Sequence, residues 1–335
     1  TMTACKKEEE KPGSKLKVVL YLNGTLGDKS FFDSANRGIE MAIQDFGIEG
    51  KTIEGGNDSS RWEPDLEQLC QGDWDIIIAG TWQLQESLEK LAPKYPDKKF
   101  FTYDTSVDYS KGNLGNIYSI LYKQNESSFL VGALAALVTT SDMPLANPEK
   151  IIGFLGGMDI PVINDFKVGY IQGAKYIDPE VQVLVSYAAS YTDPAKGKEL
   201  ALAQYNQGAD ISFNVAGETG LGLLDAAKEM KKYAIGVDSD QYLMFKDSDP
   251  EKASYIVTSM MKNVDESIHR AIKLHIEGKL PYGQAEALGI KEGGVGVADN
   301  ENYRKVVPEE FRNKIKELEE KILNGEIVVE TAFGE

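Results

Sequence analysis

Residues 15–47 read KLKVVLYLNGTLGDKSFFDSANRGIEMAIQDFG, and the fold turns on them. The run ending at Leu22 is apolar and of strand length. From Phe32 the apolar residues fall at helical spacing, at Ala35, Ile39, Ala42, Ile43 and Phe46, and Gly47 supplies a stop. A continuous apolar strand, a glycine-bearing loop and a helix form the opening unit of a parallel sheet covered on both faces. Lys29-Ser30 in that loop raises the question of a phosphate-binding loop. The Walker pattern G-x-x-x-x-G-K-[ST] is not met, because Asn23 stands at the first glycine position and Asp28 precedes the lysine. A carboxylate there repels phosphate. The loop instead offers Asn23 and Asp28 as hydrogen-bonding groups beside Phe31 and Phe32. Phe32 shares the core-facing spacing, so Phe31 is expected to face a cleft.

The alternation continues outward. KTIEGG, WDIIIAG and KKFFTYD read as strands separated by the helical patterns EPDLEQLCQG and QLQESLEKLAPKYP. After GNIYSILYKQ and the long helix ESSFLVGALAALVTT it restarts, with strands KIIGFLGG, VQVLVSYA, ADISFNVA and YAIGVDSD. A last strand, ASYIVTSMM, leads to helix NVDESIHRAIKLHIEG, a glycine-rich segment and a C-terminal helix. The fold class is α/β, with two doubly wound lobes. A chain of 335 residues fits two domains.

In open α/β sheets ligands bind beyond the carboxyl ends of the strands. The residues there include Asp104, Phe213, Gly217 in AGETGLG, Asp238, Asp240 and Lys262. Each alone reads as a cap, a turn or a surface charge before it reads as a ligand residue; their recurrence across two lobes points to one ligand cleft between them. Catalytic signatures are weak. His269 and His275 fall six apart on a helical pattern and face differently, and no H-E-x-x-H, G-x-S-x-G or Cys/His cluster occurs. No enzyme activity, metal or cofactor is expected.

The net charge of −17 argues against nucleic acid, and no stretch of eighteen apolar residues offers a membrane span. Of two cysteines, Cys70 lies in a helical pattern and reads as a buried apolar residue. Cys5, in TMTACKKEEEKPGSK, follows a small residue and opens a charged stretch. This reads as the end of a lipoprotein signal, with Cys5 lipidated, residues 1–4 a signal remnant and residues up to 14 a linker.

The segments GDKSF, ESSFLVGALAAL, IGFLGGMDIPVINDFKVGYIQGA, AGETGLG and IGVDSDQ, in this order, resemble the basic membrane protein family of bacterial substrate-binding lipoproteins that serve ABC importers. The resemblance covers nearly the whole chain after the linker. It implies a type I periplasmic-binding-protein fold, with two Rossmann-like lobes joined by three crossovers. We place these near 122–125, 257–260 and 284–288, giving a first lobe of 15–123 plus 258–285 and a second of 124–257 plus 286–335. It further implies a purine nucleoside as ligand, a permease and its ATPase as partners, a lipid-anchored extracytoplasmic location and a monomer. Carried onto this sequence, the base lies between Phe31 and Phe213. Asp104, Asp238 and Lys262 hold base and ribose, with Asp238 on the ribose. Three residues depart from the family pattern: Asn23 stands where an acid is frequent, Phe32 where Asn is usual, and Trp82 where Gly is common. They leave open another flat ligand such as a flavin or pterin. A nucleoside-cleaving enzyme on the same fold and a surface interaction protein are the alternatives from other classes.

Overall fold

The computed structural model describes residues 13–334, so Cys5 and most of the linker lie outside the described residues. The first half alternates β1 (Lys17–Leu22), α1 (Phe31–Phe46), β2 (Glu49–Glu54), α2 (Trp62–Gln71), β3 (Ile76–Ala79), α3 (Gln85–Leu91), β4 (Lys99–Tyr103) and β5 (Ile117–Tyr122). The second repeats the scheme with α4 (Gln124–Thr139), β6 (Ile151–Gly156), α5 (Pro161–Ile177), β7 (Gln182–Tyr187), α6 (Pro194–Asn206), β8 (Ala209–Val215), α7 (Leu221–Met230) and β9 (Tyr233–Asp238). Then follow α8 (Gln241–Phe245), α9 (Pro250–Ser254), β10 (Ile256–Lys262), α10 (Val264–Ile276), β11 (Gln284–Leu288), β12 (Val295–Val297), α11 (Glu301–Val306) and α12 (Glu309–Leu323).

Two six-stranded sheets result, ordered β11-β5-β4-β3-β1-β2 and β12-β10-β9-β8-β6-β7. All pairings are parallel except β10 with β12. The apolar run of β1 shows why the strands read as they do. Val18, Leu20 and Leu22 join one core with Ala35 and Ile39 of α1, while Val19 and Tyr21 join another with Leu66 and Cys70 of α2. Alternate residues serve opposite faces, and both faces are covered. Cys70 is buried, as a small apolar residue would be.

The chain crosses between sheets at Lys123, again after Lys262, and finally after Leu288. The second crossing therefore corrects the expected position of 257–260. Residues 256–261 pair with β9, so residues 258–262 belong to the second sheet. Likewise residues 286–288 stay in the first sheet, paired with β5. An apolar strand pattern states that a strand exists, not which sheet receives it. Helix α10 is the element that returns, and it docks on α1. A Cβ on Gly38 would lie 2.8 Å from the Asp265 carbonyl oxygen, so the two helices approach closely there.

Candidate ligand cleft

The carboxyl ends of the two sheets face each other across a cavity of about 280 Å³. Of the ten sequence-expected ligand residues, nine line it: Asn23, Asp28, Phe31, Phe32, Trp82, Asp104, Gly217, Asp238 and Lys262. The exception is Phe213. Its ring is fully buried within the second sheet's core, 5.2 Å from the Tyr170 ring centroid and 5.9 Å from that of Phe154. Strand β8 runs on to Val215, so Phe213 sits inside the strand and not at its end. The second-lobe aromatics that do reach the cavity are Phe166, early in α5, and Tyr191, in the loop after β7. Sequence reasoning passed over both, although each follows a strand's carboxyl end just as Phe31 does.

Asp28 is a folding residue as much as a cleft residue. Its carboxylate accepts from the backbone N–H groups of Ser30 (3.0 Å), Phe32 (2.7 Å) and Asp33 (3.1 Å), satisfying donors that open α1. Burial raises its pKa, and those three N–H bonds work against the rise. Asn23 donates to Thr81 Oγ1 (2.9 Å) and to Gln83 Oε1 (3.0 Å). Its Oδ1 is buried and accepts from no group among the described residues. Phe31 and Phe32 both contribute to the wall. Phe31 leans on Tyr103 at 5.6 Å, and Phe32 covers Gly24, so Phe32 is not confined to the core.

The charged centre spans both lobes. Lys262, at the end of β10, is 1% exposed and donates to Asp104 Oδ1 of the first lobe at 2.6 Å. Its ammonium also lies 4.5 Å from the Phe166 ring centroid, within cation–π range. Asp238 closes the triangle from the end of β9. Burial pushes its carboxyl from 3.8 up to about 7; Lys262 opposes the rise, and Asp104 and Asp28 add to it. Asp104 and Asp238 occupy equivalent strand ends and share left-handed backbone, with φ of 64° and 65°. Non-glycine residues held there are strained, and such strain clusters at ligand clamps. Gly217 is left-handed too, at φ 57°, where glycine carries no penalty. Glu218 brings the carboxylates lining the cavity to four, against Lys262 as the single cation among the described residues. Asp240 takes its bland role: it caps α8 through Leu243 N–H and accepts from Asn300.

Two α/β lobes, three crossings and a cleft at facing strand ends define a solute-binding protein of the type I periplasmic-binding fold. Comparison with known proteins agrees. The chain belongs to the Bmp family, described as "ABC transporter substrate-binding protein PnrA-like", which it matches over residues 15–332. It is 28% identical over 329 residues to the ABC transporter nucleoside-binding protein BmpA of Lactococcus lactis, covering 94% of this chain and 88% of that one. It is 31% identical over 367 residues to an uncharacterized lipoprotein of Pyrococcus abyssi, covering 97% and 86%. An ABC transporter solute-binding protein from Aeropyrum pernix superposes with a TM-score of 0.82 at 28% identity, covering 94% of this chain and 93% of that one. The family, the Lactococcus lactis relative and the Aeropyrum pernix structure are described as binding proteins.

Proposed function

We propose that the chain binds a nucleoside, a purine nucleoside first, between its lobes and delivers it to an ABC permease. The observation that carries this reading is the composition of the cavity. Aromatic side chains stand on both walls, Phe31 and Phe32 on one and Phe166 and Tyr191 on the other, with four carboxylates and one lysine between. Aromatic faces accept a flat base at about 1–3 kcal/mol per stacked face. Carboxylates accept from hydroxyl and amine groups, and charge-assisted bonds are the stronger ones. Asp238 takes the ribose hydroxyls, and the free Asn23 Oδ1 takes an N–H of the base edge. The excess of negative charge disfavours phosphorylated ligands.

A larger flat ligand such as a flavin draws support from Trp82 and Trp62 on the first-lobe wall. The volume of 280 Å³ argues against it, being at the lower edge of the roughly 300–1,000 Å³ usual for small-molecule sites. Acid–base catalysis by Asp28 and Asp104 has poor geometry. Asp28 is committed to three N–H bonds, and Asp104 to Lys262. Lipidation at Cys5 and an extracytoplasmic, membrane-anchored monomer complete the proposal; among the described residues no helix is long and apolar enough to cross a membrane.

The test is mass spectrometry of the purified protein, native and then denatured, followed by calorimetric titration with a nucleoside panel. A released nucleoside, or saturable binding without free-base release, supports the reading. A flavin mass transfers the transport role to another ligand. Free base appearing in the assay overturns the non-enzymatic reading.

A further inference from the structure

A second set of inter-lobe contacts lies beside the cavity without lining it. Ser239, the residue after Asp238, is fully buried. Its hydroxyl donates across the lobes to the Ser30 carbonyl at 2.7 Å. The same oxygen accepts from Arg37 Nη2 of α1 at 2.7 Å. Arg37 is steadied within its own lobe by Asp265 of α10, at 3.4 Å. Gln241 makes the companion contact. Its Nε2 donates to the Lys29 carbonyl at 3.2 Å, while its Oε1 accepts from Val237 N–H (3.0 Å) and Asn214 Nδ2 (3.1 Å).

These contacts join two unusual turns. Ser239 N–H donates to the Val237 carbonyl at 2.7 Å, closing a three-residue turn around Asp238 at φ 65°. A γ-turn with a positive-φ centre is the rare and strained form. On the facing lobe Lys29, between the cleft residue Asp28 and Ser30, is also left-handed at φ 57°. Strained turns persist only where their surroundings over-determine them. Here part of that determination comes from the opposite lobe.

We propose that Ser239, Arg37 and Gln241 form a latch between the lobes that holds the closed state and fixes the turn carrying Asp238. They are positioning residues: none lines the cavity, and their effect on ligand passes through closure and through the Asp238 backbone. Opening the lobes separates Ser239 from Ser30 and Arg37, and Gln241 from Lys29. Closing restores five polar groups, the Ser239 hydroxyl, the Arg37 guanidinium, the Gln241 amide and the Ser30 and Lys29 carbonyls, to partners that water otherwise supplies.

The experiment uses the full chain with Cys5→Ser, and spin labels at Lys51→Cys on β2 and Gln182→Cys on β7, both exposed positions. Inter-lobe distance distributions are recorded without ligand for wild-type latch, Ser239→Ala and Arg37→Ala. The expected result is a closed-to-open ratio about tenfold lower in each variant, the size of a lost buried hydrogen bond. The double variant should match Ser239→Ala, which already breaks the Arg37 contact along with that to Ser30. Resting on the nucleoside reading, a second arm uses guanosine as probe and follows intrinsic tryptophan fluorescence. Dissociation should quicken about tenfold in the variants, with association within about twofold. Should guanosine fail to bind the wild type, the nucleoside reading fails and the ligand-free distances still decide the latch. Wild-type protein with no closed population, or variants with unchanged distances, overturn the proposal. So does a fall in melting temperature with no change in the closed fraction, which is what a purely structural role predicts. Arg37→Ala carries the test if Ser239→Ala does not fold.

Discussion

Replacing Asp238 by Asn separates the charge of the buried carboxyl from its backbone role. Asn matches Asp in size and shape, so the turn at φ 65° keeps a side chain it already accommodates. Burial raises the Asp238 carboxyl from 3.8 to about 7. A rise of about three pH units corresponds to roughly 4 kcal/mol. The folded protein holds this proton more tightly than the unfolded chain does. The contribution is therefore complete below about pH 4 and is lost as pH rises through about 7. Asn cannot ionise and escapes that loss. Ligand-free Asp238→Asn should match wild type only at or below about pH 4, exceed it by about 1.5 kcal/mol at pH 5 and by about 4 kcal/mol at pH 8. Ligand affinity moves the other way. An ionised carboxylate is the better acceptor for hydroxyls, so wild-type affinity should climb toward pH 8. The variant should bind weakly at every pH, by about 1.5–3 kcal/mol. Urea unfolding of the ligand-free protein at pH 5, 6.5 and 8, with nucleoside titrations at the same pH values, reads both. Parallel stability profiles for variant and wild type across that range would refute the reasoning, since no proton would then be taken up at Asp238.

Three further substitutions separate cleft from core. Asp28→Ala leaves the Ser30, Phe32 and Asp33 N–H groups without their acceptor and should cost about 1–3 kcal/mol in urea unfolding; an unchanged midpoint would mean that water replaces the carboxylate fully. Phe213→Ala opens a void among Phe154, Phe166 and Tyr170 and should cost about 3–5 kcal/mol of stability, and a variant as stable as wild type would return Phe213 to the cleft surface. Trp82 is 45% exposed at the cavity's edge, so Trp82→Ala should leave the unfolding midpoint nearly unchanged. It should weaken nucleoside binding by about 1–3 kcal/mol in calorimetry, and full affinity would show that Trp82 does not touch the ligand.

The division between legible and illegible features follows from what a sequence pattern encodes. Val18 to Leu22 announce a strand buried on both faces because every one of them is apolar, and the helices that cover it carry their own spacing. Strand partners leave no such mark. The apolar residues of β10 would suit either sheet, and only the pairing with β9 shows that the crossing waits until after Lys262. Strand β12, three residues with Gly296 at its centre, has too little apolar pattern to be seen. At the cleft, polar residues at strand ends were visible because an acid after an apolar run is conspicuous, as at Asp104 and Asp238. Phe166 and Tyr191 were hidden, since Phe166 lies inside the helical pattern of α5 and Tyr191 among polar loop residues beyond β7, neither directly after an apolar run. Phe213 was misplaced although its strand was read at full length: the third residue from the end of β8 was counted as the end, and its side chain faces the core. The latch was wholly illegible, because Ser239 and Arg37 are 202 residues apart and carry ordinary surface chemistry.

The electrostatics of the cleft and the latch act in opposite directions on closure. Bringing the lobes together removes Asp104, Asp238 and Lys262 from water, and one lysine cannot balance the carboxylates it meets. A buried pair such as Lys262–Asp104 recovers its desolvation cost only with good geometry and further hydrogen bonds, so it adds little net drive. The Asp238 carboxylate accepts no hydrogen bond from the described residues, and burial is the largest cause of its raised pKa. An empty closed cleft is thus disfavoured at its centre and held at its edge by the contacts of Ser239, Arg37 and Gln241. A ligand that supplies hydroxyl and N–H donors to the carboxylates removes the central penalty only when both lobes contact it. That dependence on the closed arrangement is the differential affinity by which a ligand drives a conformational change.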